Sequence, residues 1–377
     1  MNIPQKLLKI HLIAAARPNF MKIAPLYHEL KRRSWADAVI VHTGQHYDLN
    51  MSDSFFEDLM LPAPHLHLGV GSGTHAEQTG RVMIAYEQAL VESRPDLVVV
   101  VGDVNSTVAA TLAAVKLGIP TAHLEAGLRS YDRTMPEEIN RIVTDAIVDL
   151  LWTPSPDGDE NLKSEGKANG QIERVGNIMI DSLEMMRSKI ESASSIKQMG
   201  LADRDYAVVT LHRPSNVDQK ETLAPLVDVL TDLSTKMPVV FPIHPRTRER
   251  LERFNLMPLL NDSKRLRSLS PLSYVEFMNL IFNCRFALTD SGGIQEETTY
   301  LGIPCLTLRE NTERPITLTE GTNRLCSLHN VQQAIESCLS SPQPTPSPPN
   351  LWDGRTAERV ADSIHRFLNH RGVVGSV

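Results

Sequence analysis

The residues best suited to chemistry lie where short apolar runs give way to glycine or to a polar turn. In Thr289-Asp290-Ser291-Gly292-Gly293-Ile294-Gln295-Glu296-Glu297 a buried-strand pattern passes through two glycines into a helical one. Backbone N–H groups at such a turn can close on a phosphate with no Cβ in the way. Glu297, about one turn further in, would repel a diphosphate at contact and suits ribose hydroxyls better, so the segment reads as a nucleotide clamp. Arg314, in Thr312-Glu313-Arg314-Pro315, is placed to add positive charge from the opposite side. Two other strand ends in the same half carry histidine, in Leu211-His212-Arg213-Pro214 and Ile243-His244-Pro245. One such histidine is usually structural, whereas two in successive strands favour a site.

The first half supplies acids and further cations. Arg17 and Lys22, in Arg17-Pro18-Asn19-Phe20-Met21-Lys22, flank a helix start where free N–H groups already favour an anion. Taken alone, they read better as surface cations with packed stems. Asp103, in Gly102-Asp103-Val104-Asn105-Ser106, follows the most apolar strand and either faces a cleft or caps the next helix. His123 and Glu125 fall on one face of a strand end, and a carboxylate in a partly dry site is suited to acid–base work. Thr134 and Glu137, in Thr134-Met135-Pro136-Glu137-Glu138-Ile139-Asn140-Arg141, fit a capping box as readily as a catalytic role. Glu138 and Asn140 also read as ordinary first-turn polar residues.

The elements that must position these residues alternate strand and helix throughout, the pattern of a parallel sheet with crossover helices. Strands are expected at 10–15, 38–43, 97–101, 121–124 and 150–153, and in a second series at 207–211, 239–243, 286–289 and 305–308. Thr74 with Glu77 forms a capping box opening a helix to about Val91, and Asn105-Ser106 opens another that closes at Gly118. The fold class is α/β, with two Rossmann-like doubly wound domains facing each other across a cleft. The expected domains are 1–176, with a C-terminal helix at 355–370 packing back on it, and 177–354. The proline-rich segment 340–349 reads as an extended connection.

Composition narrows the function classes. The 377 residues carry a formal net charge of −7 with dispersed Lys and Arg, so nucleic acid is not an expected partner. No apolar run approaches the ~20 residues of a bilayer span, and the N-terminus does not read as a signal peptide. Four cysteines, Cys284, Cys305, Cys326 and Cys338, read as thiols in a reducing compartment, so a cytoplasmic location is expected. Gly69-Val70-Gly71-Ser72-Gly73 is not a dinucleotide fingerprint. His42 with His46, and His65 with His67, lack zinc-pattern partners, so neither metal nor cofactor is expected.

Together, His123-Leu124-Glu125-Ala126-Gly127-Leu128-Arg129, Pro136-Glu137-Glu138-Ile139-Asn140-Arg141 and Asp290-Ser291-Gly292-Gly293-Ile294-Gln295-Glu296-Glu297 resemble the UDP-N-acetylglucosamine 2-epimerase family, in its bacterial non-hydrolysing branch. The resemblance runs from Arg17-Pro18 to Gly321-Thr322-Asn323-Arg324. It implies a fold shared with glycosyltransferases of the GT-B class, a homodimer, a UDP-sugar substrate and a place in polysaccharide biosynthesis. It also implies that Asp103, Glu125, Glu137 and His212 are catalytic, and that Arg17, Lys22, Arg141, His244, Ser291, Gly292, Gly293, Glu297 and Arg314 bind substrate. The reaction would be elimination of UDP to a glycal and re-addition, with cationic groups and amides standing in for Mg²⁺ at the departing diphosphate. Gln45-His46 resembles a segment that helps a second substrate molecule bind as activator, but it continues with Tyr47-Asp48-Leu49-Asn50-Met51. That continuation is shared with relatives acting on diacetamido-uronic acid nucleotides. The rival readings are a hydrolysing epimerase, an epimerase of such a diacetamido-uronic acid nucleotide, a glycosyltransferase of the same architecture and a non-catalytic nucleotide-sugar sensor.

Overall fold

The computed structural model describes residues 7–44, 56–342 and 344–372, so His46 and the Gln45–Met51 segment lie outside the described residues. Two compact units are present. One carries the chain to Met185 and again from Asn350, and the other carries Met186–Pro349. The boundary falls inside the helix Ile178–Ser192.

Among the described residues, the first unit forms a seven-stranded sheet: β1 (Leu8–Ala14), β2 (Ala36–His42), β3 (Leu66–His67), β4 (Leu97–Val101), β5 (Thr121–Leu124), β6 (Leu150–Thr153) and β7 (Ile172–Arg174). The second unit forms a six-stranded sheet: β8 (Ala207–Thr210), β9 (Val239–Pro242), β10 (Leu266–Leu269), β11 (Phe286–Thr289), β12 (Cys305–Leu308) and β13 (Asn323–Cys326). The strand orders are β3-β2-β1-β4-β5-β6-β7 and β10-β9-β8-β11-β12-β13. All the pairings are parallel. Each sheet is therefore doubly wound, and each reverses direction once, between β1 and β4 and between β8 and β11. Ligands of such sheets bind outside the carboxyl ends of the strands at this reversal.

β4, Leu-Val-Val-Val-Val, is buried along its whole length, as a strand covered on both faces must be. The capping box predicted at Thr74 is present and opens the helix His75–Glu92. At Thr134, where the sequence leaves a capping box and a catalytic role both open, no box forms: Met135 occupies the N-cap, and the Thr134 hydroxyl turns to Asp132 at 2.6 Å. The last helix, Thr356–His370, lies against Arg17–Arg32, with Trp35 stacked on His365 at 4.7 Å. Buried Asp181 caps it by accepting from the Thr356 and Ala357 amides at 3.1 and 2.7 Å. The four cysteines are free, and three of them are buried.

Candidate active site

At the β1/β4 reversal the sequence builds a cluster of paired charges. The helix Arg17–Arg32 starts directly after β1 with no side-chain cap at Ala16. Asn19 closes this turn by accepting from the Ala16 amide at 3.1 Å and donating to the Val101 carbonyl at 3.0 Å, which ties the helix start to the end of β4. Arg17 is exposed at the first helical position. One turn on, Lys22 forms an ion pair with Glu125, and both side chains are largely buried. The second Glu125 oxygen, Oε1, is buried without a hydrogen-bond partner among the described residues.

Glu125 does not reach this position by strand alternation. β5 ends at Leu124, and Glu125 takes a left-handed backbone with φ of +73°. That conformation is costly for a residue with a Cβ and is found where the surroundings over-determine it. The turn continues through Gly127, φ +81°, where a Cβ would stand 2.4 Å from the Gly158 carbonyl oxygen. Gly102, φ +69°, lies under the cluster: a Cβ there would come within 3.2 Å of Lys22 Nζ and 3.8 Å of Glu125 Oε2.

Asp103 does not cap the following helix, whose N-cap is Val104. Its carboxylate is part-exposed and accepts from Arg141 Nη1 at 2.5 Å. The guanidinium of Arg141 is buried between Asp103 and Glu138, with Nη2 2.7 Å from Glu138 Oε2. Glu138, which reads in sequence as an ordinary first-turn residue, is 1% exposed. It accepts from the Ser130 amide and hydroxyl and from the Tyr131 amide. Burial pushes its pKa up, but these amides and Arg141 hold it below the usual glutamate range. Glu137, its neighbour, is exposed. His123 is fully buried, with Nδ1 2.6 Å from Asp145 and Nε2 2.9 Å from the Gly102 carbonyl. Asp145 also accepts from the Gly127 amide and pairs with Arg129 at 2.7 Å. His123 and Asp145 thus fix the two turns that carry Asp103 and Glu125.

The β8/β11 reversal is built differently. The helix Gly292–Leu301 begins at Ser291, whose side chain makes no cap bond, so the first-turn amides stay available to an anion. A Cβ at Gly293 would meet nothing within 4 Å. At Gly292 it would stand 2.9 Å from Arg314 Nη1, so Arg314 lies beside this helix start and not opposite it. Glu296 at 2.8 Å and Glu313 hold the Arg314 guanidinium, and Arg309 holds Glu313. Glu297 is 4% exposed and accepts from Tyr274 Oη at 2.7 Å. Burial raises its pKa to about 7 against the pull of that hydrogen bond, and the charge of Glu296 adds to the rise.

His212 and His244 meet at the ends of β8 and β9, with ring centroids 5.5 Å apart. His244 is an N-cap: its Nδ1 accepts from the Arg246 amide at 3.2 Å. Burial and then the neighbouring His212 lower its pKa. His212 is part-exposed, and its Nδ1 stands 3.0 Å from the buried Asp290 carboxylate.

The structure therefore gathers Lys22, Asp103, Glu125 and Arg141 at one reversal and His212, His244, Ser291–Gly293, Glu297 and Arg314 at the other. Sequence reasoning passed over Asn19, Glu138, Asp145, Tyr274, Asp290, Glu296 and Glu313. Asn19, Glu138, Asp290, Glu296 and Glu313 lie in segments the sequence had marked, whereas Asp145 comes from late in the helix Pro136–Ile147 and Tyr274 from the start of the unmarked helix Tyr274–Phe282. Among the described residues, no cluster of His, Cys, Asp and Glu is arranged to hold a metal ion.

Residues 28–365 match the family model described as UDP-N-acetylglucosamine 2-epimerase. A UDP-N-acetylglucosamine 2-epimerase of Methanocaldococcus jannaschii is 41% identical over 94% of this chain and 98% of its own. A UDP-2,3-diacetamido-2,3-dideoxy-D-glucuronate 2-epimerase of Pseudomonas aeruginosa is 40% identical over 84% of this chain and 88% of its own. The crystal structure of the M. jannaschii UDP-GlcNAc 2-epimerase in complex with UDP-GlcNAc and UDP superposes with a TM-score of 0.85 at 40% identity. It covers 95% of this chain and 100% of that one. With the family model spanning most of its length, this chain belongs to the UDP-N-acetylglucosamine 2-epimerase family.

Proposed function

We propose that this chain interconverts UDP-N-acetylglucosamine and UDP-N-acetylmannosamine at C2 without net hydrolysis. The observation that carries the reading is the pair of carboxylates, Asp103 and Glu125, each held by its own buried or near-buried cation, Arg141 and Lys22, around Gly102. The hydrogen on C2 is not adjacent to a carbonyl carbon, so its direct removal is difficult. When the C1–O bond breaks and its electrons leave with UDP, positive charge develops at C1 and the C2 proton becomes acidic. A carboxylate takes that proton, and the C2–H electrons form the C1=C2 bond of a glycal. A proton delivered to the other face of C2 and the return of UDP to C1 complete the inversion.

Each half of the reaction has residues suited to it. Arg17, His212, Arg314, the Ser291 hydroxyl and the amides of Gly292 and Gly293 would stabilise the departing diphosphate, a preorganised arrangement of the kind that lowers barriers most. Glu297 would accept from the ribose hydroxyls, and a carboxyl poised near neutrality suits that contact. Asp103, Glu125 and the exposed Glu137 are the acids available to C2. The 40% identity to the diacetamido-glucuronate enzyme makes that nucleotide the second substrate to test. The same reading carries a homodimer and a cytoplasmic location; the free cysteines support the latter.

The test is incubation with UDP-N-acetylglucosamine, alone, in heavy water. Deuterium at C2 of both epimers with intact UDP-sugar is the expected result. Free UDP accumulating at the rate of sugar conversion would assign the hydrolysing reaction instead. Absence of exchange until an acceptor is added would assign a glycosyltransferase, and binding with no exchange a sensor. Sedimentation of the purified chain as a monomer would remove the homodimer.

A further inference from the structure

We propose that Asp290 is a positioning residue that holds the imidazole of His212 through Nδ1–H, so that Nε2 is the atom presented to the departing diphosphate. The proposal rests on the catalytic reading of His212 and deepens it.

Asp290 is 0% exposed and follows β11, the strand paired with β8. Its carboxylate accepts from the His212 amide at 3.0 Å, the Arg213 amide at 2.9 Å and Asn216 Nδ2 at 3.1 Å. It also lies 3.0 Å from His212 Nδ1. Three of these donors belong to the turn 212–216, so its backbone is clamped to the Asp290 carboxylate before the ring is considered. An ionised carboxylate can only accept, so the ring must donate through Nδ1. Burial works to raise the pKa of Asp290, but His212 and the amide donors hold it below the usual range, which keeps it in the accepting form. With Nδ1 committed, Nε2 is the remaining polar atom of a part-exposed side chain.

The partner histidine points to the same division. His244 uses Nδ1 as an acceptor, so its Nε2 carries the proton, and its lowered pKa favours the neutral ring. His212, with a buried carboxylate behind it, is the ring of the two that donates through Nδ1. In the elimination step the ring, with a proton on each nitrogen between the two anions, donates through Nε2–H to an oxygen of the β-phosphate as negative charge collects there. The proton stays with the ring when UDP returns to C1, so none is lost over a cycle. Replacing the carboxylate by an amide would remove the negative charge that balances a ring protonated on both nitrogens and would offer Nδ1 a donor, leaving the ring neutral.

The test begins with the unaltered protein. Imidazole ¹⁵N shifts, with His212 assigned by the signal lost in His212→Gln, are expected to show Nδ1 protonated. A neutral ring protonated on Nε2 alone would overturn the proposal whether or not any variant folds. In Asp290→Asn, turnover is expected to fall about 100-fold or more, with UDP affinity changed by no more than about threefold and the His212 ring left without a proton on Nδ1. Turnover kept within about threefold of the parent would also overturn it. His212→Gln with full turnover would remove the catalytic reading itself, and the proposal with it. His212→Gln inactive beside the wrong tautomer would remove the proposal alone.

Discussion

The two strand-order reversals offer the same location in the same kind of sheet, yet the sequence fills them with opposite chemistry. At β1/β4 the candidate catalytic groups are acids, and the cations Lys22 and Arg141 serve to hold them. At β8/β11 the outward groups are amides, histidine and Arg314, and the acids Asp290, Glu296 and Glu313 sit behind to hold those. The fold supplies the location, and a handful of turn residues decides whether it handles protons or phosphate. For Arg141–Asp103, Asp290–His212 and Glu296–Arg314 the supporting charge is buried more deeply than the group it supports, whereas in Lys22–Glu125 the carboxylate is the more buried of the two. Removing a support should therefore cost stability, whereas removing a supported group should cost activity.

The largest effect is expected at a support. Glu138→Ala leaves the Arg141 guanidinium buried with one partner lost, and a drop of about 3–5 kcal/mol in unfolding free energy is expected by urea titration. A loss under about 1 kcal/mol would show that Glu138 is not a support, since changes of that size are ordinary surface effects. Next come the supported acids. Asp103→Asn and Glu125→Gln should each lower kcat about 100-fold or more while KM moves little, because they act on the transition state. Unchanged kcat in either would remove that residue from the proton-handling group.

A third effect is pH-dependent. Glu297 has its pKa raised by burial, so the folded chain keeps a proton that the unfolded chain releases. The stability contributed by this group is complete in the acid range. It falls as pH climbs through the ordinary glutamate value and levels off above about 7. Relative to the parent, Glu297→Gln should gain on the order of 2 kcal/mol between pH 5 and pH 8. A parallel pH profile for the two proteins would contradict this. The smallest effect is expected at Gly293, where a methyl group meets open space. Gly293→Ala should leave the melting temperature unchanged or slightly raised, yet weaken UDP about tenfold by standing over the amides. Unaltered UDP affinity would place the phosphate elsewhere.

The central strands of both sheets were legible in the sequence because each is mostly apolar and buried along most of its length, β4 throughout. The four missed strands, β3, β7, β10 and β13, are the outermost strands of the two sheets. They read Leu-His, Ile-Glu-Arg, Leu-Arg-Ser-Leu and Asn-Arg-Leu-Cys, short and partly charged, as befits an edge exposed on one side. The outward site residues were legible because they fall on the turns after central strands. Their acidic supports were not, because a buried Glu138 and an exposed Glu137 are the same letter, and only the fold decides which one turns inward. Glu125 was found for an incomplete reason: alternation along β5 stops one residue short of it, and a left-handed turn completes the placement.

The division of labour between the two regions is tested most directly by measuring two quantities on Asp103→Asn beside the parent: deuterium uptake at C2 of UDP-N-acetylglucosamine from heavy water, and UDP affinity by calorimetry. The account predicts that uptake falls about 100-fold or more while the affinity for UDP stays within about threefold. Uptake at the parental rate, or a loss of UDP affinity as large as the loss of uptake, would contradict it.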